Sequence, residues 1–217
     1  MTNRVQSGNS SATSADMAAR LHSYVVDHDL GFAPNPFHRI CTLAACKPRI
    51  RKHAQSGDYI VGTGSAAHNL AGRIIYWMRV DEIITFEEYW RDPRFFRKRP
   101  VLSGSRMQIY GDNIYSKRAD GTFEQADSFH SEPGGVTSHS NLKRDTAYTE
   151  NVLIGREYAY WGGFGPNLPS ELKDIAHGTQ GHKNKSIQPE IVSDFISWVR
   201  GMPDRGFLGR PANWPPL

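Results

Sequence analysis

The sequence predicts an α+β fold in which a small curved sheet or barrel carries peripheral helices. Its 217 residues are enough for one substantial core. The predicted strands are short and are not regularly interleaved with long helices, which disfavours a doubly wound parallel sheet. No repeat of solenoid period is present. These observations together favour a small twisted or closed sheet in one domain.

Three segments are predicted to form the central strands. Residues 21–27 contain Tyr24, Val25 and Val26 between polar neighbours, a pattern typical of a strand. Residues 58–61 follow the turn Ser56-Gly57-Asp58 and end at a glycine. Residues 73–84 are rich in Ile, Tyr, Trp and Val, and we expect one long strand that pairs with residues 58–61.

Helices are predicted where capping residues precede a helical pattern. Pro48 suits the first position of a helix that continues to about Gln55. Thr85 and Glu88 have the spacing of a capping box. Residues 189–200 place five apolar side chains on one face, and Gly201 follows them. We therefore expect a helix in each of these three segments.

The chain is expected to divide into a leader, a domain and a tail. Residues 1–20 are polar and are expected to form a mobile leader, residues 21–200 a single domain, and residues 201–217 an irregular Pro-rich tail on the surface. No apolar run approaches the roughly 20 residues of a membrane-spanning helix. We expect a cytoplasmic protein without membrane contact, and the sequence leaves its oligomeric state open.

Basic residues are clustered although the net charge is only +4. Such clusters set up a local field for anions, but they also occur as solvated faces. Nucleic-acid contact and a solvated surface therefore both remain open. One cluster comprises Arg39, Lys47, Arg49, Arg51 and Lys52, and the other comprises Arg91, Arg94, Arg97, Lys98 and Arg99.

No cofactor or metal is predicted. Gly62-Thr63-Gly64 lacks the third glycine of a dinucleotide-binding loop, and no Walker-type sequence occurs. The histidines lack the spacing of a metal site, so His130 and His139 are expected to be neutral surface residues. Cys41 and Cys46 lack a second cysteine pair. We expect them to be reduced and packed, with a redox or nucleophilic role as the alternative.

Several long motifs resemble a known family, the nucleotide modification associated domain of the second type, found in bacteria and phages near genes for altered nucleobases. The resemblance spans about residues 24–182 and implies a nucleotide-modification or phage-defence context rather than a defined chemistry. The motifs are YVVDHDLGFAPNPF, CTLAACKPRIRK, SGDYIVGTGS, FEEYWRDPRF, YGDNIY, RDTAYTENVLI and GTQGHK.

A more distant resemblance is to PUA-like barrels, the group that includes EVE, YTH and ASCH domains. It rests on Gly57-Asp58 opening a strand, the Gly72-Arg73-Ile74-Ile75 strand and the segment Phe86 to Phe95. The resemblance implies a curved sheet and an aromatic pocket for a modified base. Tyr24 stands where the first strand of that group usually carries a tryptophan.

We therefore predict a protein that recognises a modified nucleotide or nucleobase, free or within nucleic acid. Lys47 and Arg51 would hold phosphate, Thr63, Gly64 and Ser65 would donate backbone hydrogen bonds, and a ring would stack on the base. The alternative is an enzyme, a transferase or hydrolase acting on a nucleotide, with Asp112, His182 or Cys46 as acid, base or nucleophile. The predicted ligand-binding residues are Tyr24, Thr42, Lys47, Arg51, Thr63, Gly64, Ser65, Trp77, Asp112 and Asn113.

Overall fold

The computed structural model describes residues 19–176, 182–183 and 187–215, without the side chains of 182–183. Eleven strands, five α-helices and several short 3-10 helices are assigned in this part of the chain. The strands are β1 (Leu21–Val26), β2 (Cys41–Leu43), β3 (Tyr59–Gly64), β4 (Ile74–Arg79), β5 (Glu82–Thr85), β6 (Tyr115–Lys117), β7 (Phe123–Gln125), β8 (Asn151–Gly155), β9 (Tyr158–Tyr160), β10 (His182–Lys183) and β11 (Gly206–Phe207). The helices are α1 (Pro48–His53), α2 (Phe86–Arg91), α3 (Arg106–Ile109), α4 (His139–Thr146) and α5 (Pro189–Gly201).

The main sheet has six strands in the order β10-β1-β3-β4-β9-β11. Strand β3 pairs with β4, as predicted from the sequence, and the pair is antiparallel. Strands β1 and β3 are parallel, and β4 pairs antiparallel with β9. A second sheet has the order β2-β8-β5, and β6 and β7 form a hairpin. Among the described residues these sheets are open and none closes into a barrel. The α+β class is therefore confirmed.

The two faces of the main sheet carry different cores because side chains alternate along each strand. Tyr24 of β1 and Tyr76 of β4 lie side by side with Gly62 between them, and their hydroxyls are 3.0 Å apart. Trp77 belongs to the opposite face, which packs on α5 through Val192, Phe195, Ile196 and Val199. The face of Tyr24 packs on β2, β8 and α1 through Cys41, Leu43, Leu153 and Ile50.

The segment predicted as one strand from 73 to 84 is two strands in two sheets. The amide of Val80 donates to the carbonyl of Asp58 in the main sheet, and the amide of Asp81 donates to Ile154 of the second sheet. The chain therefore passes from one sheet to the other at Val80-Asp81. The predicted strand was wrong at this point, because each half has strand propensity and only tertiary pairing separates them.

The predicted helices are present with small shifts at their ends. Helix α1 begins at Pro48 and ends at His53, and α5 begins at Pro189. The capping box is formed, since the Glu88 amide donates to Thr85 Oγ1 at 3.2 Å and the Thr85 amide donates to Glu88 Oε2 at 2.7 Å. The local signals for these helix starts therefore predicted the structure.

The C-terminal segment contacts the domain more closely than its composition predicts. Strand β11 pairs with β9, the Trp214 ring stacks on Phe37 at 5.8 Å, and the amide of Ala212 donates to Asp29. The predicted leader comprises residues 1–20, of which residues 1–18 lie outside the described residues. None of the helices in the described part of the chain is long and apolar enough to cross a bilayer.

Candidate functional site

A cavity of about 410 Å³ opens at the C-terminal end of β1. We call it the β1 cavity. The segment 24–33 forms its floor and one side, and residues from three distant parts of the chain close it. These are Cys46 and Lys47, which precede α1, Phe129 and His130, which precede α4, and Arg144 within α4. The cavity therefore brings together side chains as far apart in the sequence as Tyr24 and Arg144, which are 120 positions apart.

The floor of the β1 cavity is the ring of Tyr24, covered by the amine of Lys47. Lys47 Nζ lies 4.6 Å from the centre of the ring, within the range of a cation–π contact. The fully buried Tyr24 hydroxyl bonds to Tyr76 and to the carbonyl of Ala33. Burial lowers the pKa of Lys47. An anion in the cavity would compensate for the water that this amine has lost.

One wall of the β1 cavity is aromatic. Phe32 packs edge-on against His130 at 4.3 Å and against Phe129 at 5.7 Å between ring centres. His130 is held by its backbone, because its amide donates to Ser128 Oγ and its carbonyl accepts from the side chains of Gln125 and Asn141. Phe129 is 48% exposed, which leaves ring surface for a ligand.

Asp145 links His130, in the aromatic wall of the β1 cavity, to Cys46 and Arg144. Its carboxylate is fully buried and accepts from the Cys46 amide (2.8 Å), the Tyr115 hydroxyl (2.9 Å) and the Arg144 guanidinium (2.9 and 3.0 Å). Burial alone would raise the pKa of Asp145, but hydrogen bonds from His130 and Arg144 outweigh burial and hold the pKa below its usual range. Asp145 is therefore a buried carboxylate that stays ionised.

The backbone at Cys46 and Lys47 adopts the left-handed conformation, with φ of 57° and 43°. Non-glycine residues rarely adopt it, and such strain concentrates at functional sites. Cys46 is held there at both backbone groups, since its amide donates to Asp145 and its carbonyl accepts from Arg51 Nε at 2.9 Å. The surrounding structure thereby fixes the direction of the Cys46 side chain.

Cys46, His130 and Asp145 lie in series. Cys46 Sγ is 3.7 Å from His130 Nε2, and His130 Nδ1 is 3.3 Å from Asp145 Oδ2 and 3.1 Å from Arg144 Nη2. Burial alone would lower the pKa of His130, but its bonds to Asp145 and Cys46 outweigh burial and raise the pKa. The prediction that His130 is a surface residue was wrong, because only 8% of it is exposed.

Arg51 was predicted to bind a ligand, but its side chain is fully buried and binds the protein itself. Its guanidinium donates to the backbone carbonyls of Cys46, Asn151 and Asp145. It does not line the β1 cavity, because its position on α1 directs it toward β8 and α4. We therefore assign Arg51 a structural role.

Trp77 and the loop of small residues also lie away from the β1 cavity. Trp77 is on the other face of the main sheet, where it stacks on Tyr59 at 6.0 Å, because it follows Tyr76 by one position in the strand. The amide of Gly64 donates to Arg73, and Ser65 Oγ accepts from Ala67. Thr63 donates to the Tyr24 carbonyl within the sheet. The hydrogen bonds of this segment are those of a plain connection between β3 and β4, which is the alternative to a ligand-binding loop.

Thr42, Asp112 and Asn113 lie together in the interior instead of at the β1 cavity. Asp112 accepts from Thr42 Oγ1 at 2.6 Å and from the Tyr89 hydroxyl at 2.7 Å. The Asn113 amide group donates to the carbonyl of Tyr89. Burial raises the pKa of Asp112, and the amine of Lys98 is buried nearby with its pKa lowered by burial to about 8. This network links β2 to α2 and has no opening to the cavity.

The predicted residues that reach the β1 cavity are thus Tyr24, Lys47 and Cys46. The side chain of His182 lies outside the described residues. Five residues of this site were not predicted from the sequence, namely Phe32, Phe129, His130, Arg144 and Asp145. A signal was present for several of them, since the family-like motifs YVVDHDLGFAPNPF and RDTAYTENVLI contain Phe32, Arg144 and Asp145. What the sequence did not reveal was which motifs meet in space.

The second basic cluster is largely neutralised by its surroundings. Arg94 pairs with Glu82 and Asp92 at 2.8 Å and 2.5 Å, and Arg91 pairs with Glu87 at 2.6 Å. Arg99 lies over the rings of Trp90 and Phe96, and Lys98 is buried. This cluster therefore offers fewer free cations than its sequence suggests.

Comparisons with known proteins identify the family of the chain. Searches of characterised proteins and of solved structures find no significant match to this chain. The model of the family described as nucleotide modification associated domain 2 matches residues 18–216, almost the whole chain. The match includes every residue that lines the β1 cavity. The chain belongs to the nucleotide modification associated domain 2 family.

Proposed function

We propose that this chain binds a mononucleotide with a modified base in the β1 cavity. The observation that carries the proposal is the convergence of two cations, Lys47 and Arg144, with the exposed ring of Phe129 around one hollow. Cationic groups hold phosphate, and aromatic faces stack on bases. The volume of about 410 Å³ lies in the range of about 300–1,000 Å³ usual for small-molecule sites.

The charges around the β1 cavity favour an anion. Lys47 is largely removed from water. Arg144 donates to Asp145 and to Asn141 Oδ1 (2.7 Å) and contacts His130 Nδ1 (3.1 Å), while 40% of its side chain remains exposed. Asp27 lies at the rim of the cavity, 3.8 Å from the exposed His28. An anionic group would therefore sit best between Lys47 and Arg144, away from Asp27.

A free nucleotide or a single extruded base fits the site better than a length of duplex. The ion pairs of Arg91 and Arg94 leave little free positive charge on that surface for a phosphate backbone. The relationship to PUA-like domains belongs to the same proposal. It is supported by the α+β class and by the presence of a cavity large enough for a base, and it predicts insertion of the base beside Phe32 and Phe129.

Isothermal titration with deoxynucleoside 5′-monophosphates, unmodified or carrying 5-substituted pyrimidines, tests the proposal. Lys47→Gln should weaken binding about tenfold or more, because a charge-assisted phosphate contact contributes roughly 1.5–3 kcal/mol. Lys52→Gln is the matched control, since Lys52 is an exposed residue of α1 outside the cavity. Phe129→Ala should weaken binding of all bases, with the exposed Tyr148→Ala as its control.

Equal losses in Lys47→Gln and Lys52→Gln would contradict the proposed site, because they would indicate a diffuse charge effect. Retention of full affinity in both Lys47→Gln and Phe129→Ala would contradict it as well. If binding is found only for oligonucleotides and falls steeply with salt, the ligand is a nucleic-acid backbone instead of a mononucleotide.

A further inference from the structure

We propose that Cys46 is a catalytic nucleophile, activated by His130, and that the β1 cavity hydrolyses an ester or amide carried by the bound nucleotide. This inference builds on the proposed nucleotide site and adds a reaction to it. It rests on the series Cys46 Sγ, His130 Nε2, His130 Nδ1 and Asp145 Oδ2, with separations of 3.7 Å and 3.3 Å. Nucleophile, base and orienting carboxylate in that order are the arrangement of thiol and serine hydrolases.

The position of Cys46 distinguishes it from the other cysteine of the chain. Cys41 is fully buried in the core, and burial raises the pKa of its thiol far above the usual range. Cys46 is half-buried, lines the cavity and sits on strained backbone held by Asp145 and Arg51. Strain at a cavity-lining cysteine facing a histidine is better explained by reactivity than by packing.

The same three side chains are not arranged for a metal ion. Cys46 faces Nε2 of His130, whereas Asp145 faces Nδ1 on the other side of the ring. One ion cannot contact the sulfur and the carboxylate through a ring that lies between them. Within the described residues no group of His, Cys, Asp and Glu side chains converges as metal ligands do.

The proposed reaction needs only water as a second reactant. Cys46 gives its thiol proton to His130 Nε2, and the sulfur forms a bond to the carbonyl carbon of the ester or amide. His130 returns the proton to the leaving oxygen or nitrogen as its bond to that carbon breaks, which leaves a thioester on Cys46. Water gives a proton to His130 and attacks the thioester. The C–S bond breaks, the sulfur regains its proton, and a carboxylic acid leaves.

Asp145 acts as a positioning residue. Asp145 Oδ2 lies 3.3 Å from His130 Nδ1, and Arg144 Nη2 donates to the same carboxylate while lying 3.1 Å from Nδ1. The proposal requires the ring proton to be on Nδ1, facing Asp145, because a ring that accepts from Arg144 at Nδ1 would carry its proton on Nε2 and could not take the thiol proton. A downfield proton resonance from Nδ1–H of His130 is expected in the native protein and should disappear in His130→Gln. In Asp145→Asn it should shift or vanish, whereas a purely structural Asp145 would leave it unchanged in a folded variant.

Alkylation by iodoacetamide at neutral pH, mapped by mass spectrometry, tests the nucleophile. Cys46 should react at least about tenfold faster than glutathione, and His130→Gln should remove that advantage. His139→Gln is the matched control, because His139 is an exposed histidine outside the cavity. Reaction of Cys46 no faster than glutathione, or at an equal rate in His130→Gln, would overturn the proposal.

Incubation with p-nitrophenyl acetate tests the acyl transfer. An acetyl adduct should form on Cys46 and turn over, and Cys46→Ala should abolish both, whereas His139→Gln, which replaces an exposed histidine outside the cavity, should leave both the adduct and nucleotide binding unchanged. Nucleotide binding without any adduct would overturn the hydrolase and leave the binding site standing. An adduct on Cys46 without nucleotide binding would support the nucleophile and refute the nucleotide as its substrate.

Discussion

Lys47 and Arg51 lie four positions apart, yet they have opposite roles. Lys47 reaches the β1 cavity across the Tyr24 ring, whereas Arg51 turns inward and donates to three backbone carbonyls. Burial lowers the pKa of Arg51 to about 10, so it keeps its charge near neutral pH. A buried guanidinium with matched acceptors stabilises the fold, and an accessible amine beside a hollow can bind a ligand.

Replacing Arg51 should therefore destabilise the protein. Arg51→Met would leave the carbonyls of Cys46, Asn151 and Asp145 without this donor in the interior, and we expect a loss of about 3 kcal/mol in the free energy of unfolding. Urea denaturation gives the value, with Arg49→Met on the exposed side of α1 as control. Equal stability of the two variants would show that the buried bonds contribute little.

Single residues also show how far the sequence could predict the site. Tyr24, Lys47 and Cys46 were identified because their residue types suit ligand contact and they lie near the strand or helix starts. His130 and Asp145 were not, since a histidine and an aspartate separated by fifteen positions carry no local sign of pairing. Their pairing depends on the loop that precedes α4 folding back onto Cys46.

At the scale of elements, the side chain of Asp58 links the start of β1 to the turn before β3 through hydrogen bonds. Its carboxylate accepts from the Arg20 guanidinium at 2.7 Å, from the Gln55 amide at 2.9 Å and from His22 Nε2 at 3.1 Å. Burial alone would raise the pKa of Asp58, but the hydrogen bonds from His22 and Arg20 outweigh burial and lower the pKa to about 2. The charged carboxylate thus stabilises the parallel β1–β3 pair.

The junction between β1 and the turn before β3 should become less stable as the pH is lowered. The pKa of Asp58 is lower in the folded protein than in the unfolded chain. Its contribution to the free energy of unfolding is therefore complete above about pH 4 and is lost as the pH falls toward about 2. Asp58→Asn should be less stable near neutral pH by about 2 kcal/mol, and the difference should shrink over that interval. Urea denaturation at several pH values checks this.

Asp194→Asn is the control for that measurement, because Asp194 is exposed on α5 and should leave the pH dependence unchanged. A constant difference between Asp58→Asn and the native protein from neutral to acidic pH would mean that the charge of Asp58 contributes nothing to the junction.

Elements themselves were predictable where a local signal exists. The capping box of Thr85 and Glu88 and the apolar face of α5 both formed as expected. The alternation of side chains in β4 was available from the sequence as well, and it separates Tyr76 from Trp77. The change of sheet at Val80-Asp81 was not predictable, because it depends on carbonyl partners in β8 and in the turn before β3.

At the scale of the whole molecule, two sheets and α4 bring four chain segments to one opening. The main sheet supplies Tyr24, the second sheet and α1 position Cys46 and Lys47, and the hairpin of β6 and β7 leads into the wall that carries His130. The opposite face of the main sheet is filled by Trp77 and α5. Ligand binding is therefore expected on one face of the main sheet only.

Nuclear magnetic resonance of the isotope-labelled protein during titration with deoxynucleoside 5′-monophosphates tests this claim most directly. Changes in backbone chemical shift should concentrate in segments 25–33, 46–47, 128–131 and 143–146, while the shifts of Trp77 and α5 remain unchanged. Shifts centred on the basic segment 91–99, or on the face of Trp77, with none at Lys47 and His130, would contradict it.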